Sequence, residues 1–502
     1  MDKLTREAMQ WLDWRYRVGV AEGRYQAHEP IYGVACHQTD GNHAGRLARA
    51  YCIFRRLAQL RFETLLDVGG SEGYHASLAR RLLSARAVTS DLSTEAARRA
   101  RELFGLPAVG ADAHWLPYGD DSFDVVLCCE VLEHVADPVA VMSEALRVAR
   151  RYVVFSTEEL AQSARAREIH LLLAGRPYPH AERNWFLSTD FPTVLGDKVT
   201  CERQGVATDR YAELVVTRKE PREDEVRDLV LEMTRLDSPL SMEYGILVVK
   251  AKGDAPPLDT SQPGDPALLD AILEHRVSAG QPAQHVAPDA DAFLQEQLAC
   301  PICLVPLRAR ADSLTCAECD REFAVEEGIP RLHGIPTAAE ASEAPRRRWP
   351  WLTPAAQELR AMFTAPRKEP SRLLCHLLNV ELGLLALSQG LQDPGVDGLN
   401  SGAVRNALMT PPLRSGTEPH ASASRAMWWD ELPASEAEIE AMCALSCNAL
   451  KLRCRVEALS RERDEVSRQL AALSQHLDRI YSRWPVRIAL RLKRLWGVLR
   501  RK

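Results

Sequence analysis

A chain of 502 residues is too long for one hydrophobic core, and at roughly 150 residues per domain it predicts about three units. Its 46% hydrophobic and 26% charged content are ordinary globular values, which excludes a wholly disordered or fibrous chain. The formal net charge of −6 argues against a nucleic-acid binder held by one broad basic surface, although local basic patches are compatible with it. No run approaches the ~18 uncharged apolar residues of a membrane span, and MDKLTREAMQWLDWRYR lacks the apolar core of a signal peptide, so the expected location is the cytoplasm. Of thirteen cysteines, four have metal-ligand spacing and others, such as Cys128 and Cys129, lie in apolar surroundings, which suits a reducing compartment.

Residues 1–252 alternate strand and helix patterns: LLDVGG, a helix from about Ala76, AVTSDLS, a helix from Thr94, FDVVLCCEVL, a further helix, and RYVVFST. That rhythm predicts an α/β fold with a Rossmann-like parallel sheet. In LLDVGGSEGYHASLAR, Gly69, Gly70 and Gly73 lie between a buried strand and a helix. Glycines permit a tight turn and close backbone approach, and the helix N-terminus offers free amides to an anion. Asp91 closes the next strand, where a carboxylate can accept both ribose hydroxyl hydrogens at the carboxyl edge of the sheet.

Farther on, ADAHWLPYGDDSFDVVLCCEVLEHVADP resembles the motif that class I S-adenosylmethionine (SAM) dependent methyltransferases carry through the adenine loop and fourth strand. From about Leu65 to Thr157 the chain is similar to the family that includes the ubiquinone and menaquinone C-methyltransferases. The resemblance implies SAM as cofactor. Asp67, Gly69, Gly70, Ser71 and Gly73 would shape the methionine-side loop, Asp91 and Leu92 would hold the ribose, Asp112 and Ala113 would face the adenine, and Glu130 would lie beside the amino acid end. The family's middle glycine is replaced by Ser71, which fits if its backbone angles are ordinary.

Methyl transfer from a sulfonium is an in-line displacement that asks mainly for positioning, water exclusion and a proton acceptor. His134 is the candidate catalytic base toward a hydroxyl acceptor; its structural alternative is packing or capping of the following helix. The run His37 to His43 could bind a metal or contact the acceptor, a polar loop before a helix being the alternative, and His170, His180 and Trp185 are placed to line an acceptor pocket.

Residues 253–292, rich in Pro, Asp and Ala with one short helical stretch at 266–275, are expected to be a linker. Residues 293–334 carry Cys300-x2-Cys303, then x12, then Cys316-x2-Cys319, the two-knuckle pattern of a zinc ribbon that surrounds a structural Zn2+ with thiolates. The following REFAVEEGIPRL resembles the tail of the small zinc-ribbon activator proteins that partner RNA and protein methyltransferases.

Residues 335–433 are expected to be partly helical and partly disordered. Residues 434–481 predict a coiled coil and with it a homo-oligomer, an intramolecular helical hairpin being the alternative, because Met442, Ala449, Val456, Leu470 and Leu477 alternate with Leu445, Leu452, Leu459, Val466, Leu473 and Ile480, only Arg463 breaking the seam. Residues 482–502 form a basic tail, SRWPVRIALRLKRLWGVLRRK, whose apolar stripe suits peripheral contact with an anionic inner membrane; docking on an acidic surface or RNA is the alternative. Coiled coil and tail together resemble the ends of some bacterial cell-surface polysaccharide methyltransferases and glycosyltransferases. The function expected is O-methylation of a sugar or related small-molecule or glycan acceptor, in surface-glycan or secondary metabolism. RNA methylation and a non-catalytic scaffold are the alternatives.

Overall fold

The computed structural model describes residues 3–19, 42–157, 161, 164–174, 182–187, 189–196, 200–207, 224, 227–228, 230–231, 234, 242–251, 265–275, 284–334, 336–337, 340 and 349–367. All belong to the first of two compact units, Met1–Cys375 with Arg414–Asp430. The second unit, His376–Leu413 with Glu431–Lys502, lies outside the described residues, and with it the predicted coiled coil and basic tail.

In chain order the elements are α1 (Lys3–Trp14), running on into a wider turn at Arg15–Gly19, α2 (Asn42–Leu57), β1 (Thr64–Val68), α3 (Tyr74–Leu83), β2 (Arg86–Asp91), α4 (Thr94–Phe104) and β3 (Ala108–Ala111). After a 3-10 turn at Ala113–Trp115 come β4 (Phe123–Cys129), α5 (Pro138–Val148), β5 (Ala149–Ser156), α6 (Ala164–Leu173), α7 (Asp190–Leu195), β6 (Thr200–Ala207) and β7 (Met242–Ala251). Then follow α8 (Pro266–Leu273), α9 (Pro288–Gln297), β8 (Arg308–Ala309), β9 (Ser313–Thr315), β10 (Glu322–Glu326), β11 (Ile329–Leu332) and α10 (Pro354–Thr364).

The apolar runs TLLDV and FDVVLCC become central strands because both faces of a parallel sheet are covered; Leu65, Leu66, Val125, Val126 and Leu127 are fully buried. Local signals set the helix ends. Ser93 caps α4 by accepting from Ala96 N–H, and Gly105 stops it in the left-handed conformation that glycine allows. Asp137 caps α5, with Pro138 in the first turn.

The strand order is β6-β7-β5-β4-β1-β2-β3-β11-β10-β9-β8. β1 to β5 are mutually parallel, and β7 and β6 add an antiparallel edge. At the opposite edge β11 pairs parallel with β3, Arg331 against Gly110 and Leu332 against Ala111, and the antiparallel β10, β9 and β8 continue from it. One face of the sheet packs on α2, α3 and α8, the other on α5, α7, α9 and α10.

Two segments differ from the sequence expectation. Part of the expected linker is structured: Leu269, Ile272 and Leu273 of α8 are buried in the first core, and Phe293 and Leu294 of α9 in the second. The helical stretch expected at 266–275 is α8, whereas the Pro, Asp and Ala rich composition hid α9 and the burial of both, because each short helix buries only two or three apolar residues. The cysteine module is likewise no separate body. Cys300, Leu314, Cys316, Phe323 and Leu332 share a core with the parallel sheet, and β11 covers the edge of β3 that would otherwise expose unpaired amides and carbonyls. Within 335–433, residues 349–367 also join the parallel-sheet unit, Leu359 and Phe363 of α10 being buried against it.

Candidate active site and metal centre

The chain runs from β1 outward through β2 to β3, then crosses back to β4 on the other side of β1. The loops after β1 and β4 therefore diverge at a topological switch point, where open α/β sheets form a cleft. Gly69 takes φ +66, and a Cβ there would run into Val131 Cγ2 of the loop after β4. Gly70 lies so close to the sheet that a Cβ would meet Asp67 Oδ2 at 2.6 Å as well as Thr89 Oγ1. Gly73, φ +82, opens α3. Gly69 and Gly70 therefore admit no side chain, because Val131, Asp67 and Thr89 already occupy the Cβ directions, and the loop approaches the sheet as bare backbone.

Asp67 at the end of β1 accepts the Ala76 N–H of α3 at 3.3 Å. Burial pushes its carboxyl up to about 7 against that hydrogen bond, with the nearby Asp91 charge adding to the rise. Asp91, ending β2, ties two loops together: its oxygens accept Ser71 N–H at 2.9 Å and Ser93 N–H at 2.8 Å. Burial raises it to about 6, the two amides working against the rise.

Ser71 has φ +51, so the expectation of ordinary backbone angles is corrected: the serine occupies the left-handed region its glycine counterpart would favour. Its hydroxyl is held by Tyr16 Oη from the turn after α1. Asp13 of α1 accepts from Ser93 Oγ at 2.7 Å. Neither Asp13 nor Tyr16 belongs to a recognisable sequence motif, and both touch the loops that the motifs define.

Asp112, directly after β3, accepts His114 N–H at 3.0 Å and contacts His114 Nδ1 at 2.6 Å. Burial alone would raise its carboxyl, but His114 holds it below the usual range. His114 Nε2 accepts Asp137 N–H, so the Asp112 contact comes from Nδ1–H and the neutral ring bridges the loop to the start of α5. Ala113 starts the 3-10 turn.

Behind that loop the buried Arg147 donates to Glu144 at 2.8 and 2.9 Å, to Tyr118 O at 2.8 Å and to Asp120 at 2.9 Å. Glu144 in turn accepts Leu116 N–H and Trp349 Nε1–H, both at 3.0 Å.

Glu130 follows β4 with φ +56, a conformation costing about 1–3 kcal/mol that persists only where its surroundings impose it. It accepts Ser156 Oγ at 2.7 Å and pairs with the buried Arg49 of α2 at 3.5 Å. His134 is half-buried in the turn that begins there, its N–H closing onto Val131 O at 3.0 Å. The cap of α5 is Asp137 and not His134. His170 and Trp185 stack 4.8 Å apart, and burial lowers His170 to about 4. His180 and the loop part of the His37 to His43 run lie outside the described residues, as do the side chains of that run's helical end.

The four thiols of Cys300, Cys303, Cys316 and Cys319 converge with all Sγ atoms within 4.8 Å of one another. Tetrahedral zinc with Zn–S bonds of about 2.3 Å places its sulfurs about 3.8 Å apart, and Cys300 Sγ and Cys319 Sγ are 3.8 Å apart. Each knuckle turns on a left-handed residue, Leu304 (φ +64) and Asp320 (φ +52). Cys303 N–H points at Cys300 Sγ at 3.4 Å. Burial raises the Cys300 and Cys303 thiols, whereas at Cys319 hydrogen bonds, first among them that from the Arg321 amide, outweigh burial and bring the thiol down to about 7. The donor set fits a closed four-sulfur metal site.

Comparison with known proteins agrees with this geometry. Residues 66–155 match the family described as a methyltransferase domain. An "uncharacterized methyltransferase" of Mycobacterium sp. (strain JLS) is 37% identical over 95 residues, which cover 17% of this chain and 34% of that protein. The chain thus matches about a third of that relative's length. Among solved structures, the complex of the Haloferax volcanii Trm112 methyltransferase activator with a methyltransferase is 19% identical, covering 46% of this chain and 100% of its own, with a TM-score of 0.31. Geranyl diphosphate C-methyltransferase of Streptomyces coelicolor A3(2) is 18% identical, covering 50% and 98%, with a TM-score of 0.34.

Proposed function

We propose that the protein is a SAM-dependent methyltransferase that methylates a hydroxyl of a sugar or related glycan acceptor. The observation that carries the cofactor reading is the convergence of the Gly69–Gly73 loop, Asp91 and Asp112 on the carboxyl ends of three adjacent parallel strands. Asp91 binds the ribose hydroxyls, Asp112 and Ala113 face the adenine, and Glu130 with the loop amides orients the amino acid end. Bound SAM supplies an electrophilic methyl on a sulfonium. The residues of this chain hold the acceptor oxygen in line with it and exclude water. His134, at the mouth formed by the loop after β4, takes the acceptor's proton; since its Nδ1 is buried, the proton goes to Nε2.

The four cysteines hold a structural Zn2+, because a site filled by four sulfurs leaves no open position for water. Heptads at 434–481 and the basic tail at 482–502 support an oligomer at an anionic membrane surface, where lipid-linked glycans are presented. Among the described residues, no helix is long and apolar enough to cross a membrane. The basic tail also supports a second reading, RNA as the acceptor.

Incubation with methyl-labelled SAM and a bacterial extract, with Asp91→Ala as control, separates the readings. Label in glycan or lipid that disappears in the variant supports the proposal. Label in RNA replaces the acceptor, and no transfer to any fraction contradicts the enzyme reading.

A further inference from the structure

The strand that joins the cysteine module to the parallel sheet ends one residue before a histidine. β11 closes at Leu332 opposite Ala111, so His333 emerges at the carboxyl edge of the sheet alongside Asp112. Its Nε2 lies 2.8 Å from the carbonyl oxygen of Leu92, the residue next to Asp91. A carbonyl only accepts, so Nε2 carries the hydrogen. Burial keeps the ring below its ordinary pKa and hence neutral near pH 7, with Asp112 and Asp13 both within electrostatic reach. The ring is tightly placed, since a Cβ on Gly110 would come within 3.0 Å of His333 Cε1.

On its other side the same segment rests on the metal knuckle. A Cβ on Gly334 would lie 3.0 Å from Pro301 Cβ and 3.4 Å from Ile302 Cδ1, the two residues between Cys300 and Cys303. A short physical path therefore runs from the knuckle through Gly334 and His333 to the 92–93 peptide, whose N–H donates to Asp91. Arg101 of α4 braces the module from a second direction, bidentate to Asp291 of α9 at 2.8 and 3.0 Å.

We propose that His333 is a positioning residue for the cofactor site, so that the four-cysteine metal centre and the nucleoside end of that site are thermodynamically linked through β11. By holding the Leu92 carbonyl, His333 fixes the 92–93 peptide, whose Ser93 N–H donates to Asp91 Oδ1 at 2.8 Å, and with it the Asp91 carboxylate that the cofactor needs. Linkage is reciprocal: whatever factor the metal adds to cofactor affinity, the cofactor adds to metal affinity. This inference rests on the cofactor reading given above.

The test uses the full chain, S-adenosylhomocysteine (SAH) as the probe in calorimetry, and zinc affinity measured by competition with a colorimetric chelator. His333→Ala should bind SAH roughly 3- to 10-fold more weakly, the loss of one buried hydrogen bond, while keeping its zinc content. His333→Gln, which can again present an N–H to Leu92 O, should return to within about 2-fold of the wild type. Saturating SAH should tighten zinc binding in the wild type, and that tightening should shrink in His333→Ala. Equal SAH affinity in wild type and His333→Ala, or zinc affinity indifferent to SAH, would overturn the linkage while leaving the cofactor reading intact. No SAH binding by the zinc-loaded wild type would overturn both.

Discussion

The centre of the parallel sheet and the cysteine module reach order by different means. Around β1 and β4 the strands are apolar along almost their whole length and buried on both faces, so hydrophobic burial suffices. In the module, β8 is exposed at both residues and β10 buries Phe323 alone, so its own apolar area is too small to fold it. What it has instead is four converging thiols and one strand pressed against β3. The residue after that strand, His333, nevertheless reaches the carboxyl edge of the parallel sheet at Leu92 O, so the less self-sufficient region touches the loop that follows Asp91.

The largest expected effect follows from removing the metal proposed at the four thiols of the module. Cys316→Ser, or a strong chelator, withdraws a metal contribution that in small zinc modules is about 10 kcal/mol or more. Loss of hydrogen-exchange protection should then be confined to 298–334 and the β3 edge, with β1 and β4 still protected. A collapse of protection across the whole sheet would erase the contrast between the regions.

Next in size is the buried network behind the adenine loop. Glu144→Ala leaves Arg147 with only Asp120 and two carbonyls as partners and should cost about 3–5 kcal/mol in chemical denaturation, a loss located in the parallel-sheet core.

Smaller again is a pH slope. Asp67 keeps its proton in the fold up to about 7 and Asp91 up to about 6, whereas both lose it near 3.8 in the unfolded chain. The folded state binds more protons between those values, so stability without cofactor should fall as pH rises from about 4 to 7, by at most about 1.4 kcal/mol per pH unit for each proton. Asp67→Asn should remove the part of that slope nearest pH 7, as denaturation midpoints at pH 5 and pH 7.5 would show.

The carboxyl edge of the sheet was legible because its parts leave local marks: an apolar strand, glycines where a Cβ would clash, an acid where the strand stops. β1, β2 and β4 follow that rule, and α4 begins at the predicted Thr94. The join between module and sheet leaves none, since pairing β11 with β3 brings Arg331 to Gly110 across more than two hundred residues and GIPRL carries no periodic signal. Asp13, Tyr16, Arg49 and His333 were missed for the same reason, each being placed by tertiary packing alone. At Ser71 the sequence offered no sign of the left-handed backbone, which is visible only in the fold.

The most direct test of the cofactor site is a calorimetric titration of the zinc-loaded full chain with SAH, alongside Asp91→Ala. One molecule should bind per chain in the wild type, and the variant should lose about 10- to 100-fold in affinity, the worth of hydrogen bonds to a charged group. Equal affinity in the two proteins, or no binding by the wild type, would contradict the assignment of the β1 to β3 edge as the cofactor site.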